Sequence, residues 1–150
     1  MAPPPGLLPA LTVVLHDEPV DDLDALLNHK TTRRDLFNRA LERARRLGGD
    51  EALLLTGSGL VAEGAVHALA AKLDLGWQVP PLACGVLDSL WRRRWLARGD
   101  VTVAPLTMAA LCQAQAVVMG NAIVGTRPVG RLLGGAGEEL WRAPCGPAGC

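Results

Sequence analysis

Apolar and polar positions along the chain fall into short runs of two periods. Leu11 to Leu15 (LTVVL) reads as a strand, and the acidic stretch from Asp17 to Asp24 that follows reads as a loop. Between Asp35 and Leu47 the apolar residues are Leu36, Phe37, Ala40, Leu41, Ala44 and Leu47. That is helical spacing, with Gly48-Gly49 as the stop and Asp35 as an N-cap or first-turn acid. Glu51 to Thr56 (EALLLT) predicts a strand, Gly57-Ser58-Gly59 a tight turn, and Leu60 to Glu63 the returning strand. Ala65 to Leu73 and Trp77 to Pro80 continue the β pattern around a turn at 74–76, and Pro80-Pro81 ends it. Further on, the pattern predicts helices over 87–97 and 106–114, and strands over 101–104, 116–119 and 128–133, with a turn over 121–127. The first ten residues are proline-rich and expected to be disordered, and from Gly134 onward a Gly/Pro-rich tail is expected to fray.

The resulting order, β-α-ββββ-α-β-α-ββ, is not an alternating βαβ series. It predicts an α+β fold, a mixed β-sheet or barrel-like layer with helices packed on it. No glycine-rich phosphate loop of the dinucleotide or P-loop kind follows any strand.

Composition narrows the function classes. With 150 residues and 49% hydrophobic content the chain is long enough for one domain with a true core. Fifteen basic and fifteen acidic residues cancel, so no net field recruits nucleic acid or an anionic membrane. The clusters Arg33-Arg34, Arg45-Arg46 and Arg92-Arg93-Arg94 read as solvated helix faces. No apolar run approaches the ~20 residues of a membrane span, and the Met1-Ala2-Pro3-Pro4-Pro5 start lacks the charge of a signal peptide, so the expected location is the cytoplasm. Cys84 and Cys112 lie in apolar segments and read as buried thiols. The Cys145/Cys150 spacing fits no common zinc pattern, and no metal site is expected.

Arginine outnumbers lysine thirteen to two, the two being Lys30 and Lys72. An amine can be deprotonated in a protein and a guanidinium cannot, so a lysine in such a chain is a candidate for chemistry. Around Lys30 the sequence is Asn28-His29-Lys30-Thr31-Thr32-Arg33-Arg34. Three further segments stand out with it: Gly59 to Ala65 (GLVAEGA), Pro80 to Leu87 running on to Arg92, and Asn121 to Val129 (NAIVGTRPV).

In order and spacing these four segments resemble the C-terminal domain of the class IV aminotransferases and the 4-amino-4-deoxychorismate lyases, over roughly residues 11–133. The HKTTRR string is most similar to lyase-type domains attached to aminodeoxychorismate synthase components. The resemblance implies the D-amino-acid-aminotransferase-like fold and a pyridoxal 5'-phosphate (PLP) cofactor. Lys30 is then the Schiff-base lysine and the general base and acid, with His29, Arg33 and Arg34 near enough to disfavour its ammonium form. Glu63 matches the glutamate that pairs with the pyridine nitrogen. The phosphate is expected at the start of a helix over Ser89, Leu90 and Trp91, completed by Asn121 and Ala122. Arg92 matches a family arginine and is read as structural. His67, alone among alanines, is read the same way, and the four tryptophans as core or interface anchors.

The resemblance implies a lyase that releases p-aminobenzoate and pyruvate from aminodeoxychorismate. The alternatives are a branched-chain or D-amino-acid type transaminase, or a non-catalytic remnant or partner domain. The expected partners are a small-molecule substrate, an amino acid or aminodeoxychorismate, and either a second copy or a separate chain carrying the family's N-terminal half. Ser89 replaces a family glycine, Ala68 a family asparagine, and Val124 a frequent arginine. The family's N-terminal domain, which supplies a phosphate-contacting arginine and one cleft wall, is expected outside this chain. Isolated, the 150 residues are therefore expected to turn over weakly. The geometric expectation is that the Lys30 amine and the Glu63 carboxylate face one cavity, with the helix near Ser89 pointing into it.

Overall fold

The computed structural model describes residues 9–20 and 30–144, and the side chains of the first helix from residue 34 onward. The described elements are β1 (Leu11–Leu15), α1 (Lys30–Arg46), β2 (Glu51–Leu55), β3 (Val61–Gly64), β4 (Ala68–Leu73), β5 (Gly76–Val79), α2 (Leu90–Leu96), β6 (Val101–Val103), α3 (Met108–Leu111), β7 (Ala116–Asn121), β8 (Gly125–Leu133) and β9 (Glu139–Arg142). The strands form one mixed sheet in the order β3-β2-β1-β8-β7-β4-β5-β6, with β9 on the flank of β8. β1 runs parallel to β2 and β8, and β5 to β6; the remaining pairs are antiparallel. The sheet curls until β3 and β4 approach one another, where the Gly64 N–H donates to the His67 carbonyl at 2.8 Å. The expected barrel-like mixed layer is the observed one.

Alternation along the strands explains the curl. Val13, Leu53, Val61, Leu69, Val117 and Met119 fill the concave side, closed by Leu106 and Leu111 beside α3. Val14, Ala52, Leu54 and Ala62 point to the convex side, where Ala40 and Ala44 of α1 cover them. The small alanines of α1 let the helix approach the sheet closely. A second convex patch, Ala68, Ala70 and Val79, receives Trp91 and Trp95 of α2. Each fully buried Leu or Val contributes about 1.5–3 kcal/mol, so these faces carry most of the fold.

At Gly120 the packing of α2 on β7 leaves no room for a side chain. A Cβ there would overlap the Trp91 indole nitrogen and lie 2.5 Å from the Gly125 carbonyl. Gly120→Ala is expected to cost about 1–3 kcal/mol through overpacking, roughly 2–12 °C of melting temperature for a chain of this size. Gly57→Ala, with nothing within 4 Å of its Cβ, is the neutral control. Equal melting temperatures for the two variants would contradict this packing.

Several boundaries differ from the sequence expectation, each for a physical reason. Helix α1 starts at Lys30 rather than Asp35, so Asp35 lies inside the helix and caps nothing. The first turn, Lys30 to Arg33, carries no apolar stripe and was invisible to periodicity. Strand β4 begins at Ala68, because residues 65–67 form a turn held by Glu51. Helix α2 begins only after Ser89, and α3 spans four residues, since the Leu106 carbonyl accepts from the Val61 N–H and belongs to the sheet. β8 starts at Gly125, so the turn before it is shorter than 121–127. The tail does not fray throughout: β9 pairs with β8, and Trp141 is buried with its indole N–H donating to the Ala114 carbonyl at 3.1 Å. The expected disorder of the first residues and the Cys145/Cys150 pair lie outside the described residues, apart from Pro9 and Ala10.

His16, just past β1, is buried, and among the described residues neither ring nitrogen has a hydrogen-bond partner. Burial lowers its pKa below the usual histidine value; Asp17 and Glu18 partly oppose this from 3.8 Å, and the Arg43 guanidinium adds to it. The unfolded chain therefore binds a proton that the folded chain resists. Stability from this group is complete above the unfolded histidine pKa of about 6.5 and is lost as pH falls from there through the lower folded value. Urea midpoints measured from pH 8 to 5 should fall more steeply for the natural chain than for His16→Leu. Parallel slopes would rule out this linkage.

Candidate functional site

Glu63 occupies a place that strict alternation would not give it. Between Leu55↔Val61 and Leu53↔Gly64 the register of β2 and β3 slips by one residue. The extra residue is a β-bulge, a device that re-aims a side chain. Val61 and Gly64 both face the concave interior, where a Cβ on Gly64 would lie 2.5 Å from Met119 Cε. Ala62 faces the convex side, and Glu63 follows it there. Glu63 is 5% exposed, and its Oε1 accepts from the Leu87 N–H at 3.2 Å.

Leu87 leads directly into α2. Its carbonyl accepts from the Ser89 N–H at 2.8 Å, and Ser89 is extended, with φ −76° and ψ 156°. Ser89 Oγ accepts from the Arg92 N–H at 3.1 Å, which makes this residue the N-cap. The family glycine is thus replaced by a residue whose oxygen is already engaged with its own helix. Leu90 is half exposed, whereas Trp91 is buried and donates its indole N–H to Thr126 Oγ1 at 2.9 Å. Trp91 thereby pins the start of α2 to β8. Asp88 is held below the usual carboxylate range by a hydrogen bond from Arg93, at 2.8 Å from its Nη2. Arg92 is buried and donates to the Pro80 carbonyl at 3.2 Å, the structural role expected of it.

The β7–β8 turn lies at the same end of the sheet. Asn121 Oδ1 accepts from the Ile123 and Val124 N–H groups, both at 2.9 Å, and its Nδ2 donates to the Val66 carbonyl at 2.9 Å. Its side chain therefore builds the turn and ties it to the one following Glu63, and Ala122 is exposed beside it. Hydrogen bonds run from Glu63 through Leu87 to Ser89, where Leu90 and Trp91 open α2, and Asn121 bonds Val66 in the turn that follows β3. The Lys30 backbone opens α1, but its side chain is outside the described residues, and so is the expectation that its amine shares a cavity with Glu63. His67 is structural as expected, and it has a partner that sequence reasoning missed.

That partner is Glu51, which is fully buried. Its Oε1 accepts from the Ala52 and Ala65 N–H groups at 2.8 and 2.9 Å, and its Oε2 from Val66 N–H at 3.0 Å and His67 Nδ1 at 2.5 Å. An acid heading an otherwise apolar strand, EALLL, was the signal available in the sequence. Among the described residues no three His, Cys, Asp or Glu side chains converge as a metal site requires, and no helix is long and apolar enough to cross a membrane.

Comparison with known proteins agrees with this fold. A protein from Legionella pneumophila, provisionally assigned as a 4-amino-4-deoxychorismate lyase, superposes with a TM-score of 0.76 at 22% identity, over 82% of this chain and 48% of its own. A provisionally assigned amino-acid aminotransferase from Mesorhizobium loti gives 0.74 at 29% identity, over 83% and 60%. The branched-chain amino acid aminotransferase of Thermobaculum terrenum, solved in its PLP form, gives 0.74 at 19% identity, over 93% and 47%. The chain thus spans about half the length of the solved structures it matches. No curated protein matches the sequence significantly. The sequence pattern of amino-transferase class IV matches residues 1–132, most of the chain. The chain belongs to the class IV amino-transferase family.

Proposed function

We propose that this chain is the cofactor-binding part of a PLP-dependent enzyme, with aminodeoxychorismate lyase activity as the first reading. The observation that carries the proposal is the bulge that turns Glu63 onto the face where α2 begins. A carboxylate on that face suits a protonated ring nitrogen, which it would hold charged. The first N–H groups of a helix have no acceptor within it, so those of Leu90 and Trp91 suit a phosphate, with Ala122 beside the linked turn. Lys30 opens α1, whose first turn holds no acid. A helix N-terminus disfavours a further positive charge, which favours a free amine. When bound, PLP draws electrons from the bonds at the substrate carbon. Lys30 would attach the cofactor and move a proton at the substrate carbon, Glu63 would keep the ring nitrogen charged, and the start of α2 with the β7–β8 turn would hold the phosphate.

The lyase reading rests on the Asn28 to Arg34 string and its similarity to lyase-type domains. A transaminase is the second reading, favoured by the Mesorhizobium loti neighbour at 29% identity. Leu82, Leu87, Leu90, Ile123 and Val124 are exposed around the site, an apolar rim suited to cover by the family's other half or by a second copy. Turnover by these 150 residues alone is accordingly expected to be weak, and stronger with that half supplied. The test is an assay of PLP-loaded protein, with and without the half, for p-aminobenzoate and pyruvate from aminodeoxychorismate, and for keto-acid formation from branched-chain and D-amino acids. Release of p-aminobenzoate is the expected result. Keto-acid formation alone would select the transaminase, and neither product under any condition would leave a partner domain.

A further inference from the structure

We propose that Glu51 is a positioning residue for Glu63, selecting the bulged register that aims its carboxylate outward. Its importance for cofactor chemistry rests on the PLP reading above, but the geometric claim stands without it. A strand as short as β3 has two ways to lie against β2. In the regular ladder Glu63 shares the concave face with Val61; in the bulged one Gly64 takes that place and Glu63 turns out. Within Val61–Gly64 the missing side chain of Gly64 permits the bulged register and the cost of burying the Glu63 charge disfavours the regular one, but neither holds the strand in place.

The choice is made at the downstream end. The turn after Gly64 offers the Ala65 and Val66 N–H groups, and both go to the Glu51 carboxylate. His67 completes the set through Nδ1, and Asn121 takes the Val66 carbonyl from the other side. Gly64 has no Cβ because Glu51 Oε2 would lie 2.8 Å from it. Slipping β3 by one residue would pull both N–H groups away from the carboxylate and leave the buried charge short of two of its three backbone donors, with only the Ala52 N–H retained. Glu51 therefore makes the regular register costly, and the direction of Glu63 follows. An ordinary tight turn could join β3 to β4, but it would not penalise the slip.

Glu51→Gln keeps the shape but replaces one acceptor by an amide that has no lone pair for these donors. The first readout needs no cofactor. The Leu87 N–H donates to Glu63 Oε1, and Leu87 is otherwise 64% exposed, so its amide exchange reports where Glu63 points. In Glu51→Gln, exchange at Leu87 should quicken on the order of tenfold together with Ala65 and Val66, as expected for a local opening. A role confined to the turn would quicken Ala65 and Val66 alone, and that result would overturn the proposal. If Glu51→Gln does not fold, His67→Leu removes one donor from the same carboxylate and is read identically, with His67→Gln as the rescue. The second readout is the nitrogen-15 shift of ring-labelled PLP on the loaded protein. Its titration should move by about one pH unit in Glu51→Gln, in the direction that Glu63→Gln moves it. A failure to load PLP at all would count against the cofactor reading, while the Leu87 exchange would still decide the role of Glu51.

Discussion

Lys30→Ala is expected to abolish the visible absorbance that develops when the protein is mixed with PLP. The band arises only while the cofactor aldehyde is joined to an amine, and the chain has two lysines to offer, Lys30 and Lys72. Lys72 is exposed on β4, paired across the sheet with Trp77 and Ala116, and belongs to no linked site. Lys30 opens the helix that covers β1 and β2. The expected loss is therefore complete for Lys30→Ala and absent for Lys72→Ala. A free lysine on a surface also reacts with PLP, but weakly, so titration at micromolar cofactor separates the two. Equal bands in the natural chain and in Lys30→Ala would remove Lys30 from the account, whatever the fold shows.

Glu63→Gln separates binding from chemistry. The amide fills the same volume and can still accept from the Leu87 N–H, so the fold and cofactor uptake should survive. On the proposed reading, what is lost is the negative partner of a bound ring nitrogen. A hydrogen bond to a charged group is worth about 1.5–3 kcal/mol, so turnover should fall roughly ten- to a hundredfold. The fall should appear in kcat rather than in KM, because the partner acts on charge that develops as the bond at the substrate carbon breaks. Rapid-quench measurement of a single turnover would show it directly. Unchanged turnover would reduce the buried carboxylate to a structural acceptor of the Leu87 N–H.

Much of this arrangement could be read along the chain, and the exceptions share a cause. The strands at 11–15 and 51–55 announced themselves because Val13 and Val14, or Leu53 and Leu54, supply one side chain to each face of a covered sheet. Gly48-Gly49 ended the helix where expected, since Gly48 takes a φ of 86°, a left-handed turn that lets the Gly49 N–H close on the Ala44 carbonyl at 2.8 Å. The start of α1 was missed because Thr31 to Arg34 have no apolar stripe to display. Strand β9 was missed because Trp141 stands among glycines and prolines, and only its burial against β8 makes a strand of that segment. For the site, resemblance named Glu63, Ser89 and Asn121, yet periodicity would have turned Glu63 inward. A one-residue bulge leaves no mark in a four-residue strand. Glu51 carries the least local signal of all, because its four donors come from positions 52, 65, 66 and 67, and only the fold brings them together.

The central claim, that these residues hold PLP on Lys30 beside Glu63, is tested most directly by borohydride reduction of the PLP-loaded protein followed by peptide mass mapping. Reduction fixes the cofactor on whichever nitrogen carried it. The account predicts a single stoichiometric label on the peptide containing Lys30, lost in Lys30→Ala and retained in Glu63→Gln. Label on Lys72 or on the N-terminal amine, or no label at saturating cofactor, would contradict it.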